Sequence, residues 1–307
     1  MLSYLLTVSA RVCVLFLQMA LGYILYHRGM IDQQTSGKIS ELVVKITTPI
    51  TIIISYQRAY DPQTAGWLLS AFLLSAICYL VMMLIIPLIF PKKAPYWKQC
   101  CLCSVFSNCG AIGIPLLSSL LGPIGVFLGS GYIVITSILQ WTYGVYMLTN
   151  SRANISLKKL LLNPGTIPAY VGLVLFFTPV KLPPILYDAM DAVGLMNTPL
   201  AMILLGVYIA QADLVSCFTN LWVYLVSGLR LLAFPLLIFG ILTLVPIEPT
   251  IRMALLIGAA SPCGMSVSML SQLYDCDYLF PSKCVVVTTL LSILTAPFIL
   301  SLANSVW

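Results

Sequence analysis

Nine consecutive residues, Ser107-Asn108-Cys109-Gly110-Ala111-Ile112-Gly113-Ile114-Pro115, lie inside a long apolar segment yet are the wrong types for an uninterrupted helix. Pro115 removes a backbone donor and the glycines relax the chain. Freed N–H and C=O groups are tolerable in an apolar surround only where they line a protein cavity. Asn108 adds two donors and an acceptor at the same place. The chemistry this offers is hydrogen bonding to a small polar ligand, and the competing reading is a Gly/Pro kink made for helix packing.

A second copy favours the ligand reading. Ser261-Pro262-Cys263-Gly264 repeats Ser107-Asn108-Cys109-Gly110 at nearly the offset that carries Trp67 to Trp222. Paired interruptions at matching places in two halves point to a transporter's substrate site. The half-helices starting after Gly110 and after Pro262-Cys263-Gly264 present free N–H groups and partial positive charge, enough to hold a carboxylate without a basic side chain. Asn108, Gly110, Pro262, Cys263 and Gly264 are therefore candidate substrate contacts, and Ser107, Gly113, Pro115 and Ser261 shape the breaks.

Other polar residues divide by position. Gln140 shares a stripe with Ser137, and from the residues alone substrate contact and helix packing are equally supported. Arg11 and Arg230 fall inside apolar runs; Arg11 is near enough to a boundary to snorkel, and Arg230 is expected to pair with a carbonyl or to touch substrate. Replacing either by Gln is expected to weaken transport less than changing Asn108. Glu41 and Lys45 form an i,i+4 pair, and Glu41 is the best proton carrier the chain offers. Asp275 and Asp277 end an apolar run and are expected to face water, and His27 is a loop residue beside Arg28. No phosphate-cradling Gly-Lys-Ser/Thr motif, metal-spaced cluster or Ser/His/Asp set is present, so neither ATP drive, metal, cofactor nor catalysis is expected.

The elements that hold these residues follow from composition. Of 307 residues, 60% are hydrophobic and 8% charged, with mean hydropathy +1.03, against about a quarter charged in a soluble domain. At about 20 residues per span this length accommodates roughly ten spans. Apolar runs place them near 3–26, 38–56, 66–90, 97–120, 124–148, 165–180, 185–210, 218–246, 251–273 and 283–305, the first read as a retained span. The ten Cys sit mostly in these runs and read as small packing residues. Landmarks pair across the halves: Gly22 with Gly172, Thr48-Pro49 with Thr198-Pro199, Trp67 with Trp222, Pro91 with Pro246. Five spans per copy force the second to be inverted, giving repeats at 1–148 and 164–307 around a loop at 149–163. Net charge is +6, and the basic residues Arg28, Lys38, Lys92, Lys93, Lys98, Arg152, Lys158, Lys159 and Lys283 gather on one side, which puts both termini outside the cell membrane and excludes nucleic acid as a partner.

Asn108 with Gly113-Ile114-Pro115-Leu116-Leu117, the Thr48-Pro49 pair, Asn163-Pro164-Gly165, Pro199-Leu200-Ala201 with Gly206, and Pro297 together resemble the auxin efflux carrier family over nearly the whole chain. The plant PIN-formed carriers and bacterial permeases for malate and other organic acids are members. The resemblance implies an all-α fold of ten transmembrane helices, a five-plus-five inverted repeat like the bile-acid sodium symporters and NhaA. In that fold helices 4 and 9 are broken and cross, with Pro49 and Pro199 as structural markers. It also implies elevator-type alternating access, and that residues matching Asn108 and Gln140 touch the substrate carboxylate. Ser107 departs from the proline the plant carriers have at the first break, and the short loop removes their long cytoplasmic region. Glu41, Lys45 and Arg230 are the candidates for coupling.

The expected function is secondary active transport of small organic anions such as malate or auxin-like acids. The alternatives are an ion-coupled symporter of another solute class and an anion channel. The expected partners are the substrate and the bilayer, with a homodimer left open.

Overall fold

A computed structural model of the chain describes residues 2–151, 166–178 and 180–307. Most of the expected loop at 149–163, with Arg152, Lys158 and Lys159, and the Asn163-Pro164-Gly165 run lie outside them. The described residues form helices joined by short turns. They begin with α1 (Leu2–His27), α2 (Gln33–Leu42), α3 (Thr48–Ser55), α4 (Pro62–Ile89), α5 (Trp97–Val105), α6 (Ile114–Leu139) and α7 (Val145–Thr149). After the loop come α8 (Ile167–Phe177), α9 (Pro184–Leu195), α10 (Asn197–Gln211), α11 (Leu214–Cys217), α12 (Leu221–Gly228), α13 (Phe234–Leu244), α14 (Pro249–Ala260), α15 (Met265–Leu273) and α16 (Leu279–Val306). Six continuous helical stretches are long and apolar enough to cross a membrane, so the chain is an all-helical polytopic membrane protein.

Starts and stops obey local chemistry. Asp32 and Asp61 accept the backbone N–H groups of Thr35 and Thr64 and so cap α2 and α4. Helix α4 ends at Phe90, before Pro91. The two expected spans at 97–120 and 124–148 meet at Gly122, whose φ of 67° only glycine adopts freely, followed by Pro123.

Prolines also explain where the helices widen. Among the described residues four π turns occur, Val43–Thr47, Cys109–Gly113, Gln140–Gly144 and Leu229–Ala233. Three lead directly into Thr48-Pro49, Ile114-Pro115 and Phe234-Pro235, with the amide before each proline bonded to a carbonyl five residues back. A proline ring collides with the carbonyl four back, and the wider turn moves that carbonyl aside. The turn at Gln140 has no proline to cause it, and π turns of that kind concentrate at functional sites.

Glycines set the closest approach in the molecule, between α1 and α10. A Cβ on Gly22 would stand 2.0 Å from the Ile203 carbonyl oxygen, and one on Gly206 would stand 1.8 Å from that of Met19. Backbones come this close in membrane helices only across small residues. The landmark pairs behave alike: Gly172 in α8 packs on the Tyr56 ring at the end of α3, while Gly22 packs on α10. Thr47 and Thr48 both donate to Asn197 Oδ1, at 2.9 and 2.7 Å. This joins the turn before Pro49 to the start of the helix that carries Pro199.

Candidate functional site

The two interrupted segments cross each other. After α5 the chain runs extended through Phe106 and Ser107, and after α14 it does so through Ser261 to Gly264. Ser107 and Cys263 form an antiparallel bridge. The Asn108 N–H donates to the Pro262 carbonyl at 2.7 Å, and the Gly264 N–H donates to that of Phe106 at 2.9 Å. Cys263 N–H is taken by the Thr288 hydroxyl of α16 at 3.0 Å. Two strands of minimal length thus satisfy one another's backbone where neither helix can.

Most of the expected site residues meet here. Ser107, Asn108, Pro262, Cys263 and Gly264 make the crossing, and Gly113 faces it, since a Cβ there would lie 3.3 Å from Ser261 Oγ. Gly110 has open space where a Cβ would go, so packing does not require glycine at that position. Asn108 is 8% exposed, and its Nδ2, like Ser107 Oγ, is buried without a hydrogen-bond partner. Such orphan groups cost about 1–3 kcal/mol each and call for an explanation. A bound acceptor is the one that fits a donor held at a half-helix N-terminus.

Gln140 reaches the same region from the side. Its Nε2 donates to Ser266 Oγ at 2.6 Å, and Ser266 is in the first turn of α15, where backbone N–H groups have no helical partners. The π turn at Gln140–Gly144 is what aims it there. We expect Gln140→Ala to raise the half-saturating substrate concentration by about tenfold, the worth of one hydrogen bond to a charged group, in uptake by proteoliposomes. An unchanged value would leave Gln140 as a strut to Ser266 only.

Arg230 pairs with carbonyls, one of the two expectations for it, and the structure adds which ones. It is fully buried at 0% exposure, held in the π turn Leu229–Ala233. Its Nε donates to the Ser261 carbonyl at 3.1 Å, and its Nη1 to those of Val105 at 2.9 Å and Ser104 at 3.3 Å. Nη2 donates to Ala259. One guanidinium therefore caps the C-terminal ends of both α5 and α14. This position weighs against the expectation that Arg230 matters less than Asn108, because removing it would strand carbonyls of both arms in an apolar interior.

Other candidates stand apart. Glu41 and Lys45 pair with each other at 3.4 Å, 68% and 64% exposed, on the exposed face of their own helical segment rather than at the crossing. Pro49 and Pro199 belong to the Thr47–Asn197 junction. Asp277 is a helix cap, accepting the Leu279 and Phe280 N–H groups. Arg11 is exposed on α1.

Two cavities flank the crossing. One, of about 470 Å³, lies between α10 and α11 on one wall and α15 and α16 on the other. Tyr208 and Asp213 face it from the first wall, and Met265, Ser268, Lys283 and Thr289 from the second. It meets the crossing at Met265. Thr289 Oγ1 is buried there without a partner. Lys283 belongs to the second turn of α16, which begins four residues before the expected span at 283–305. The other cavity, of about 20 Å³, holds about one water. It is bounded by Val12, Leu15, Phe16 and Met19 of α1, Met202 of α10, and Ala260, Ser261 and Pro262 of the crossing. The large cavity thus reaches the crossing only at Met265, and the small one borders it at Ala260, Ser261 and Pro262.

The membrane transport protein family matches residues 7–300. A relative from Methanocaldococcus jannaschii, named as an uncharacterized transporter, is 23% identical over 294 residues, which cover 92% of this chain and 94% of that one. The family match runs from the first helix to the last and takes in both interruptions, so this chain belongs to the membrane transport protein family, that of the auxin efflux carriers.

Proposed function

We propose that the protein is a secondary active carrier of small organic anions, working by elevator-type alternating access in a ten-helix, five-plus-five inverted repeat. The crossing carries this reading: two helix N-termini and an orphan Asn108 amide meet there, and the Gln140–Ser266 pair stands at the start of α15. Such a set suits a carboxylate. The reciprocal packing of Gly22 on α10 and Gly172 on Tyr56 supports the repeat, since an inverted copy places equivalent glycines against equivalent partners.

The arrangement of cavities supports an inward-open state. Lys98 donates to the Leu148 carbonyl at 2.8 Å and Gln99 to that of Asp277 at 3.4 Å, while Tyr96 stacks on Phe280 at 4.6 Å. The basic residues Lys92, Lys93, Lys98 and Lys283 thus share the end of the molecule at which the large cavity lies. By the positive-inside rule that end is cytoplasmic. In cells carrying single cysteines in a Cys-free background, an impermeant maleimide is expected to reach position 307 and to miss 93 and 283 until the membrane is permeabilised. Labelling of 93 in intact cells reverses the orientation.

Uptake by proteoliposomes tests the function itself. A carrier saturates with substrate and shows counterflow, whereas the rival reading, an anion channel, does neither. A panel of organic acids screened by thermal shift supplies the substrate for the assay. Absence of both saturation and counterflow with every stabilising acid would sink the carrier reading.

A further inference from the structure

We propose that Arg230 sets the charge selectivity of the crossing, acting through the two helix ends it caps. This rests on the organic-anion reading and supplies what that reading lacks. A helix end carries roughly half an elementary charge, positive at the N-terminus and negative at the C-terminus. The crossing brings together four ends, the C-termini of α5 and α14 and the N-termini of the Cys109–Gly113 turn and α15. Their partial charges sum to about zero, so helix dipoles alone give no net preference for an anion.

Arg230 breaks that balance. Arginine brings a positive charge on a planar fork, and here the side chain is 0% exposed. Its hydrogen-bond partners are neutral carbonyls of Ser104, Val105, Ala259 and Ser261. The ion pair among the described residues is Glu41 with Lys45, so the guanidinium has no carboxylate partner. It quenches the two negative ends and leaves the two positive ends uncancelled, giving the empty crossing about one net positive charge. A buried charge without a counter-ion is costly, and a substrate anion provides the counter-ion. Arginine rather than lysine suits the task because its planar fork can serve carbonyls of two helices at once.

The test separates charge from support. Binding of malate and benzoate, and of the amides malamide and benzamide, is measured by thermal shift on the wild type, Arg230→Lys and Arg230→Ala. Arg230→Ala is assayed in low, non-denaturing guanidinium and in the same concentration of urea. Urea has the same planar shape and can donate to the orphaned carbonyls, but carries no charge. The wild type is expected to bind a carboxylate about tenfold or more tightly than its amide, a modest figure for a unit charge at short range in a protein interior. Arg230→Lys is expected to melt earlier and keep the preference. For Arg230→Ala, urea and guanidinium both restore folding, and guanidinium alone restores the preference.

Carboxylate preference that persists in Arg230→Ala with urea overturns the proposal and leaves the organic-anion reading standing. Loss of preference in a folded Arg230→Lys also overturns it. A wild type that binds the amides as well as the acids overturns the organic-anion reading, and the role of Arg230 with it.

Discussion

Asn108→Ala is expected to lower uptake roughly ten- to a hundredfold while the protein melts no earlier than the wild type. The two halves of that result come from one atom. Nδ2 is buried and unpartnered, so deleting it removes a desolvated donor that stabilises nothing in the unliganded fold. A structural asparagine behaves the other way, because its loss strands the groups it held. In the loaded carrier the same donor would meet a carboxylate, a charge-assisted bond worth about 1.5–3 kcal/mol, or roughly ten- to a hundredfold in kcat/KM. Counterflow in proteoliposomes and a melting curve on the same preparation decide the matter. Wild-type uptake removes Asn108 from the site, and a large fall in Tm makes it helix glue.

Gly206→Ala is expected to prevent the protein from accumulating in folded form. The added Cβ would meet the Met19 carbonyl oxygen at 1.8 Å, its carbon at 2.8 Å and the Tyr23 nitrogen at 2.9 Å. All three are backbone, so no side chain can swing clear and α1 must withdraw as a whole. Overpacking a core costs about 1–3 kcal/mol where side chains can adjust; here the cost lies beyond that range because the most extensive helix pair in the molecule separates. Gly110→Ala is the control, with open space around the new methyl. Size-exclusion profiles of detergent extracts should show a normal peak for Gly110→Ala and loss of it for Gly206→Ala. A monodisperse Gly206→Ala with wild-type Tm would contradict the packing described for α1 and α10.

The helix breaks were legible because the residue types that open a helix are few, and Asn108, Gly110, Gly113 and Pro115 gather several of them in one turn or two. Their pairing with residues 261–264 was legible from order alone. The gap between the expected spans at 97–120 and 124–148 holds Gly122-Pro123, where the structure kinks. Arg230 was not legible in this way. An arginine in an apolar run announces that it has partners, but those partners are carbonyls, which every residue owns, more than a hundred positions earlier at Ser104 and Val105. The electrostatic sum over four helix ends was hidden with it, since the sequence displays the N-terminal ends through their glycines and says nothing of the C-terminal ones. The π turn at Gln140 has no proline, and nothing in the local residues foretells it.

The bridge between Ser107 and Cys263 has a mechanical consequence. Each arm of the crossing completes the other's hydrogen bonds, and Arg230 clasps both. Sliding one arm past the other would leave Asn108 N–H, Gly264 N–H and several carbonyls without partners in a dry interior, at several kcal/mol for each group. In the proposed elevator cycle the arms would therefore travel as a single body. In that cycle the surface along which the body would glide is the apolar one lined by Val12, Leu15, Phe16, Met19 and Met202. A joint of this kind is a greased bearing beside a welded frame.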